Sequence, residues 1–213
     1  MAGKGEQTRE RILAATQPLV LERGFAGTSI DDILKATGLT KGAFFHHFKD
    51  KADLARALVE RFVANDIAAL EQFAADADSA EGDELERAYA FLKMFEAFLD
   101  AHPGHASGCL LASYLYETMQ FEPAIQKFIT QSFRRLSVLY ETKFEAVLAR
   151  RPPARPVSAR ELADLIVSTI EGGYILARAY NDPYVMVRLL KQFRQYLELL
   201  FEDAGAAGKS ARA

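Results

Sequence analysis

Apolar residues recur at three- and four-residue intervals along most of this chain, so the pattern predicts helices, and nothing in it suggests strands. Ile12, Ala15, Thr16 and Leu19 predict a first helix that stops at Gly24. Pro18 lies inside it, lacks an N–H and crowds the carbonyl four residues back, so a kink or a loosened turn is expected there. Ile30, Ile33 and Leu34 give a short second helix, with Thr28 or Ser29 as its cap and Asp31 and Asp32 in a first turn that favours negative charge. Gly38 supplies a turn, and a third helix opens at Thr40, Lys41 and Gly42. Asp50 caps a long fourth helix running toward Asp76, with Leu54, Leu58 and Phe62 on one face.

After a polar break at Ser79 to Asp83, a fifth helix from Leu85 to Leu99 is apolar on most of its circumference and is expected to be buried. Pro103 and Gly104 end it, a short helix carries Cys109 to Met119, and Pro123 opens a seventh with Ile125, Phe128, Ile129, Leu136, Tyr140, Phe144 and Val147 at helical spacing. RPPARPVS, residues 151–158, reads as a linker. Two further helices run from Ala159 to about Ala179 and from Pro183 to Phe201, and the tail 204–213 is expected to be disordered. The expected fold is all-α with about nine helices. A DNA-binding domain is expected at 1–50 and a ligand-binding and dimerisation domain at 51–203.

Two short helices joined by a tight turn and followed at once by a third, over TSIDDILKATGLTKGAFFHHFKDKADL, form a helix-turn-helix, and the chain is expected to bind DNA. The second of these helices begins with small or polar residues, at the end that enters a major groove. Thr40, Lys41 and Gly42 are therefore the candidates for base readout, with Lys41 able to donate to guanine O6 and N7. His46 is the candidate backbone contact on this helix, while His47 could equally cap it or pack inside. Thr28 and Lys49 complete the expected DNA-facing set, and Phe44 and Phe48 read as core.

The order TRERILAATQPLVLERGFAGTSIDDILKATGLTKGAFFHHFKDKADL, residues 8–54, resembles the N-terminal domain of the TetR family of transcriptional regulators. The resemblance implies an all-α homodimer on a palindromic double-stranded operator, with a C-terminal domain that holds a small effector and the dimer interface. It also implies a phosphate contact for Lys51. At Phe45 the family commonly carries Tyr, whose hydroxyl reaches a phosphate. Here only an apolar contact to a sugar or a thymine methyl remains.

Charge fits such a reading head without deciding the matter. The whole chain carries −3, yet residues 1–51 hold eight Lys or Arg against six Asp or Glu, leaving a weakly basic head on an acidic body. Neither a run of about 18 apolar residues nor a signal peptide is seen, so a soluble cytoplasmic protein with no membrane partner is expected. The single cysteine, Cys109, permits no internal disulfide and no CxxC pair. No Gly-rich phosphate loop, HExxH or GxSxG motif is present, so no catalytic residue, cofactor or metal is expected. A helical carrier or scaffold remains the rival to a DNA-binding regulator.

In the body, Leu165, Thr169, Gly173, Leu176 and Tyr180 line one stripe, and Leu189, Phe193, Tyr196, Leu197 and Leu200 another. This apolar excess at the end of a chain suits a four-helix dimer interface, the other reading being internal core. Phe62, Phe95, Phe98, Tyr114, Tyr116, Phe121, Phe128, Tyr140 and Tyr174 could line a pocket for a small, largely apolar effector, or could simply be core. Cys109 lies in GCLLASYLYE, which is similar to a segment of the electrophile-sensing branch of the family. Gly108 and His105 leave an activated thiol open, as does the alternative of a small buried residue. His102, His105 and Cys109 could ligate a metal only across the Pro103-Gly104 interruption.

Overall fold

A computed structural model describes residues 3–104, 108–117 and 122–201. Ten α-helical segments follow one another: α1 (Lys4–Arg23), α2 (Ile30–Thr37), α3 (Lys41–His47), α4 (Lys51–Phe62), α5 (Ala68–Asp78), α6 (Glu84–Ala101), α7 (Leu110–Tyr116), α8 (Pro123–Arg150), α9 (Ala159–Tyr180) and α10 (Val185–Phe201). A π turn, Val63–Ile67, joins α4 to α5 without a break, so the described residues make nine separate helices and no strand, as the pattern requires. Met119, Phe121, His105 and the tail lie outside the described residues.

The chain divides into two compact units, one of residues 1–68 and 107–134, the other of residues 69–106 and 135–213. The first therefore contains more than the 1–50 segment expected to be the DNA-binding domain: it takes in α4, α7 and the start of α8. Its core is built from Ile12, Leu13 and Val20 of α1, Ile33 of α2, Phe44 and Phe48 around α3, and Leu54, Ala55, Leu58 and Val59 of α4. The buried stripe of α1 is Ile12, Leu13, Thr16 and Val20, rotated slightly from the expected one, so that Ala15 and Leu19 are only half-buried. Helical structure continues through Pro18 to Arg23, so the proline does not end the element.

Local caps set the helix starts. Ser29, not Thr28, caps α2, accepting from Asp32 N while Asp32 returns a bond to Ser29 N, a capping box that holds the Asp32 carboxyl below its usual range. Thr40 caps α3 through Ala43 N at 3.2 Å, and Asp50 caps α4 through Asp53 N at 2.8 Å. Gly38 closes α2 in the left-handed region at φ 66.

The second unit packs Leu85, Phe91, Leu92, Phe95 and Leu99 of α6 against Leu136, Tyr140, Phe144 and Val147 of α8, with Leu162, Ile166 and Ile170 of α9 and Leu190, Phe193, Leu197 and Leu200 of α10. Among the described residues one charge is buried in it. Glu96 of α6 meets Arg194 of α10 at 2.9 Å, and Arg194 also reaches Glu198 at 2.7 Å. A buried carboxylate is tolerable only with such a partner. α9 and α10 cross closely at Gly173, where an added Cβ would lie 2.7 Å from Met186 Sδ.

Candidate nucleic-acid interface

The recognition surface is an exposed row on α3 carried by two buried rings. Phe44 and Phe48 are buried, with ring centroids 5.6 Å apart, and Arg9 lies 5.2 Å over the Phe48 ring. Phe44 and Phe48, four positions apart, share the inward side, and the other side faces outward: Lys41, Gly42 and His46 are exposed, and Phe45 keeps 43% of its surface accessible. Thr40 and Lys49 are exposed as well, and the Lys49 N–H donates to Asp53, which fixes the α3–α4 joint. His47 is half-buried edge-on to His46, 5.1 Å between centroids.

Two expected contacts are placed differently. Thr28 is buried and its hydroxyl donates to Gly24 O at 2.8 Å, so its side chain holds the α1–α2 turn and offers nothing outward. Lys51 is half-buried rather than freely solvated: its Nζ donates to Ala26 O at 3.4 Å and stands 4.5 Å over the Phe25 ring. Burial pulls its pKa below the ordinary lysine value, partly opposed by the charge of Glu117.

The aromatic candidates for an effector pocket are divided between the units. Phe62, Tyr114, Tyr116 and Phe128, with Cys109, belong to the first; Phe95, Phe98, Tyr140 and Tyr174 belong to the second. Tyr116 is 81% exposed and lines no interior. Tyr114 is buried edge-on to Phe25 at 5.5 Å and so serves the core of the reading head. Phe95 and Tyr140 are buried in the second core, where the Tyr140 hydroxyl has no hydrogen-bond partner among the described residues; Phe98 and Tyr174 pack on that core, and Phe62 and Phe128 are half-buried. Cys109 is only 7% exposed at the start of α7, which favours the reading of a small buried residue. His102 stacks on Phe98 at 4.7 Å.

The expected dimer stripes prove to be mixed. Gly173, Phe193, Leu197 and Leu200 face the core of their own protomer, Gly173 because Met186 crosses there. Leu165, Tyr180 and Tyr196 are exposed, and Thr169, Leu176 and Leu189 are half-buried. Ile175 and Leu199, 57% and 67% exposed, were not singled out by the pattern.

The N-terminal segment, residues 12–58, matches the model of the bacterial regulatory proteins of the tetR family, and residues 85–192 match the C-terminal domain of LmrA/YxaF-like transcriptional regulators. The chain belongs to the TetR family. Among its relatives is the HTH-type transcriptional repressor NemR of Escherichia coli, 28% identical over 65% of this chain and 67% of that protein. The transcriptional regulator AcuR of Cereibacter sphaeroides is 35% identical over 49% of this chain and 46% of its own length. A TetR transcriptional regulator from Chloroflexus aurantiacus has the same fold, with a TM-score of 0.73 over 92% of this chain and 97% of that one at 27% identity. The regulator is thus a ligand-responsive, DNA-binding protein of transcription control. No described helix is long and apolar enough to cross a membrane.

Proposed function

We propose that this regulator is a cytoplasmic repressor that binds a palindromic operator as a homodimer and leaves it when a small, largely apolar or electrophilic effector binds. The exposed α3 row of Thr40, Lys41, Gly42, Phe45 and His46 carries the reading. A capped helix with free N-terminal groups and an outward lysine, mounted on buried Phe44 and Phe48, suits a major groove and serves no purpose in a carrier. Lys41 reads a base, while Lys51, His46 and Lys49 contact the backbone.

The exposed apolar residues of α9 and α10, Leu165, Ile175, Tyr196 and Leu199, form the dimer face, giving the two-fold symmetry a palindrome demands. The effector lies among the aromatics of the second unit, Phe95, Phe98, Tyr140 and Tyr174, and the Tyr140 hydroxyl, buried without a hydrogen-bond partner among the described residues, is its polar anchor. Release needs only that the effector prefer a state in which the two α3 helices are wrongly spaced for the half-sites. By linkage DNA then weakens effector binding by the same factor, with a coupling of about 1–3 kcal/mol.

Fluorescence anisotropy with DNA from around the regulator's own gene, beside light scattering, tests this. Sequence-dependent binding by a dimer is expected, whereas a monomer at micromolar concentration, or binding indifferent to sequence, overturns it.

A further inference from the structure

The turn between α1 and α2 is held by a carboxylate from far along the chain. Glu117, at the end of α7, accepts the Phe25 N–H at 2.8 Å and the Ala26 N–H at 2.7 Å. Both amides follow the last residue of α1, and the carboxylate gives each of them a charged acceptor. Gly24, at φ 78, is doubly required. Its backbone lies in the left-handed region, and a Cβ there would collide with Glu117 Oε1.

The same turn holds Lys51, through the Ala26 carbonyl and the Phe25 ring, and Phe25 in turn packs edge-on to Tyr114 of α7. Glu117, the turn and Lys51 therefore form one connected cluster inside the first unit. The carboxylate does not neutralise the lysine by direct contact; it fixes the loop on which the lysine rests.

We propose that Glu117 is a positioning residue for DNA binding, a latch by which α7 holds the α1–α2 turn and, through it, Lys51 in place. The latch also gives α7 a hand on the reading head. Any event that shifts this seven-residue helix withdraws the carboxylate from the two amides it accepts and loosens the turn on which the lysine is seated. The proposal rests on the reading of Lys51 as a phosphate contact.

The test uses the full-length chain and a labelled duplex from upstream of its own gene, read by anisotropy across a salt series. Glu117→Ala is expected to weaken binding about tenfold, with a salt slope smaller by about two, one phosphate contact in each half-site, the same change as Lys51→Ala. Glu117→Gln keeps one acceptor in the same shape and falls between Glu117→Ala and wild type. The double variant Lys51→Ala, Glu117→Ala is expected to be no weaker than the poorer single variant, within about twofold, since both remove the same contact in each half-site.

Additive losses with the slope of Glu117→Ala unchanged overturn the proposal, as does a lower melting temperature with DNA affinity intact. Amide exchange at Phe25 and Ala26 reads the latch without DNA: about tenfold faster exchange in Glu117→Ala supports it, and unchanged exchange sinks it. Failure of the wild type to bind any DNA overturns the regulator reading itself and the role of Lys51 with it, whatever the exchange rates show.

Discussion

Among the described residues the first unit exposes a polar face on α3 and the second an apolar one on α9 and α10, and the two have opposite chemistry. On α3 the exposed residues are a lysine, a glycine, a histidine and one half-exposed ring, mounted on buried Phe44 and Phe48. On α9 and α10 they are Leu165, Ile175, Tyr196 and Leu199, mounted on a core that already has enough apolar residues to close. Isolated donors on a small surface suit a polyanion that comes and goes with salt. An apolar face of this kind suits a partner that stays, because its driving force is removal of area from water and not charge.

The sharpest way to break the comparison is to charge the apolar face. Ile175→Asp together with Leu199→Asp leaves the protomer intact, since both residues are exposed, but places carboxylates in the proposed interface. Dimerisation is expected to weaken on the order of a thousandfold, about 4 kcal/mol, read by sedimentation, with helical circular dichroism unchanged. Operator affinity falls with it because one head then reads one half-site. A dimer that survives the double substitution would move the interface elsewhere.

Salt separates the faces next. If each dimer makes roughly six to ten phosphate contacts, raising salt from about 50 to 200 mM costs roughly 10³-fold or more in DNA affinity. Over the same range dimerisation is expected to change by less than about twofold, because exposed charges contribute little to it. Equal salt dependence of the two equilibria, measured by anisotropy and sedimentation, would show that the faces do not differ as described.

Lys41→Ala probes readout on the polar face. Discrimination at one base pair of each half-site is expected to drop by roughly 1–3 kcal/mol, while Lys51→Ala weakens all sequences alike. Matching profiles for the two variants across a mutated operator series would exchange or merge their roles.

The polar face was far easier to read from sequence than the apolar one, and the reason is range. Ser29 with Asp32, Thr40 with Ala43 and Asp50 with Asp53 are three residues apart, so the caps that aim α3 are written locally. Thr28 and Ser29 are adjacent candidates for one cap, and only the Gly24 carbonyl, which takes the Thr28 hydroxyl, decides between them.

α9 carries apolar residues on two sides, Leu162, Ile166 and Ile170 on one and Leu165 and Ile175 on the other, so periodicity cannot say which side meets the protomer's own core. For that reason the pattern puts Gly173 on the interface stripe, and Met186 of α10, which no local pattern reveals, places it inside. The Glu96 pair with Arg194 and the Glu117 bonds to the α1–α2 turn span 98 and 92 residues, and carry no sequence signal at all.

The smallest expected effect concerns the one ring on the polar face. Phe45 stands edge-on to Phe44 with centroids 5.3 Å apart, which holds its ring while leaving 43% of its surface outward. Phe45→Tyr adds a hydroxyl at the outer end without disturbing Phe44, whose burial does not depend on it. The position commonly carries Tyr in the family, where the hydroxyl meets a phosphate. A gain of about 0.5–1.5 kcal/mol per half-site is therefore expected, the net worth of one hydrogen bond, and it should be the same for every sequence because the contact is to the backbone. The anisotropy titration that measures Lys41→Ala measures this too. A gain confined to the cognate operator would place the ring against a base. No gain in a folded variant would mean that the α3 face meets DNA at an angle that keeps the ring from the backbone, and the single apolar member of the polar face would then be a packing residue for Phe44 and nothing more.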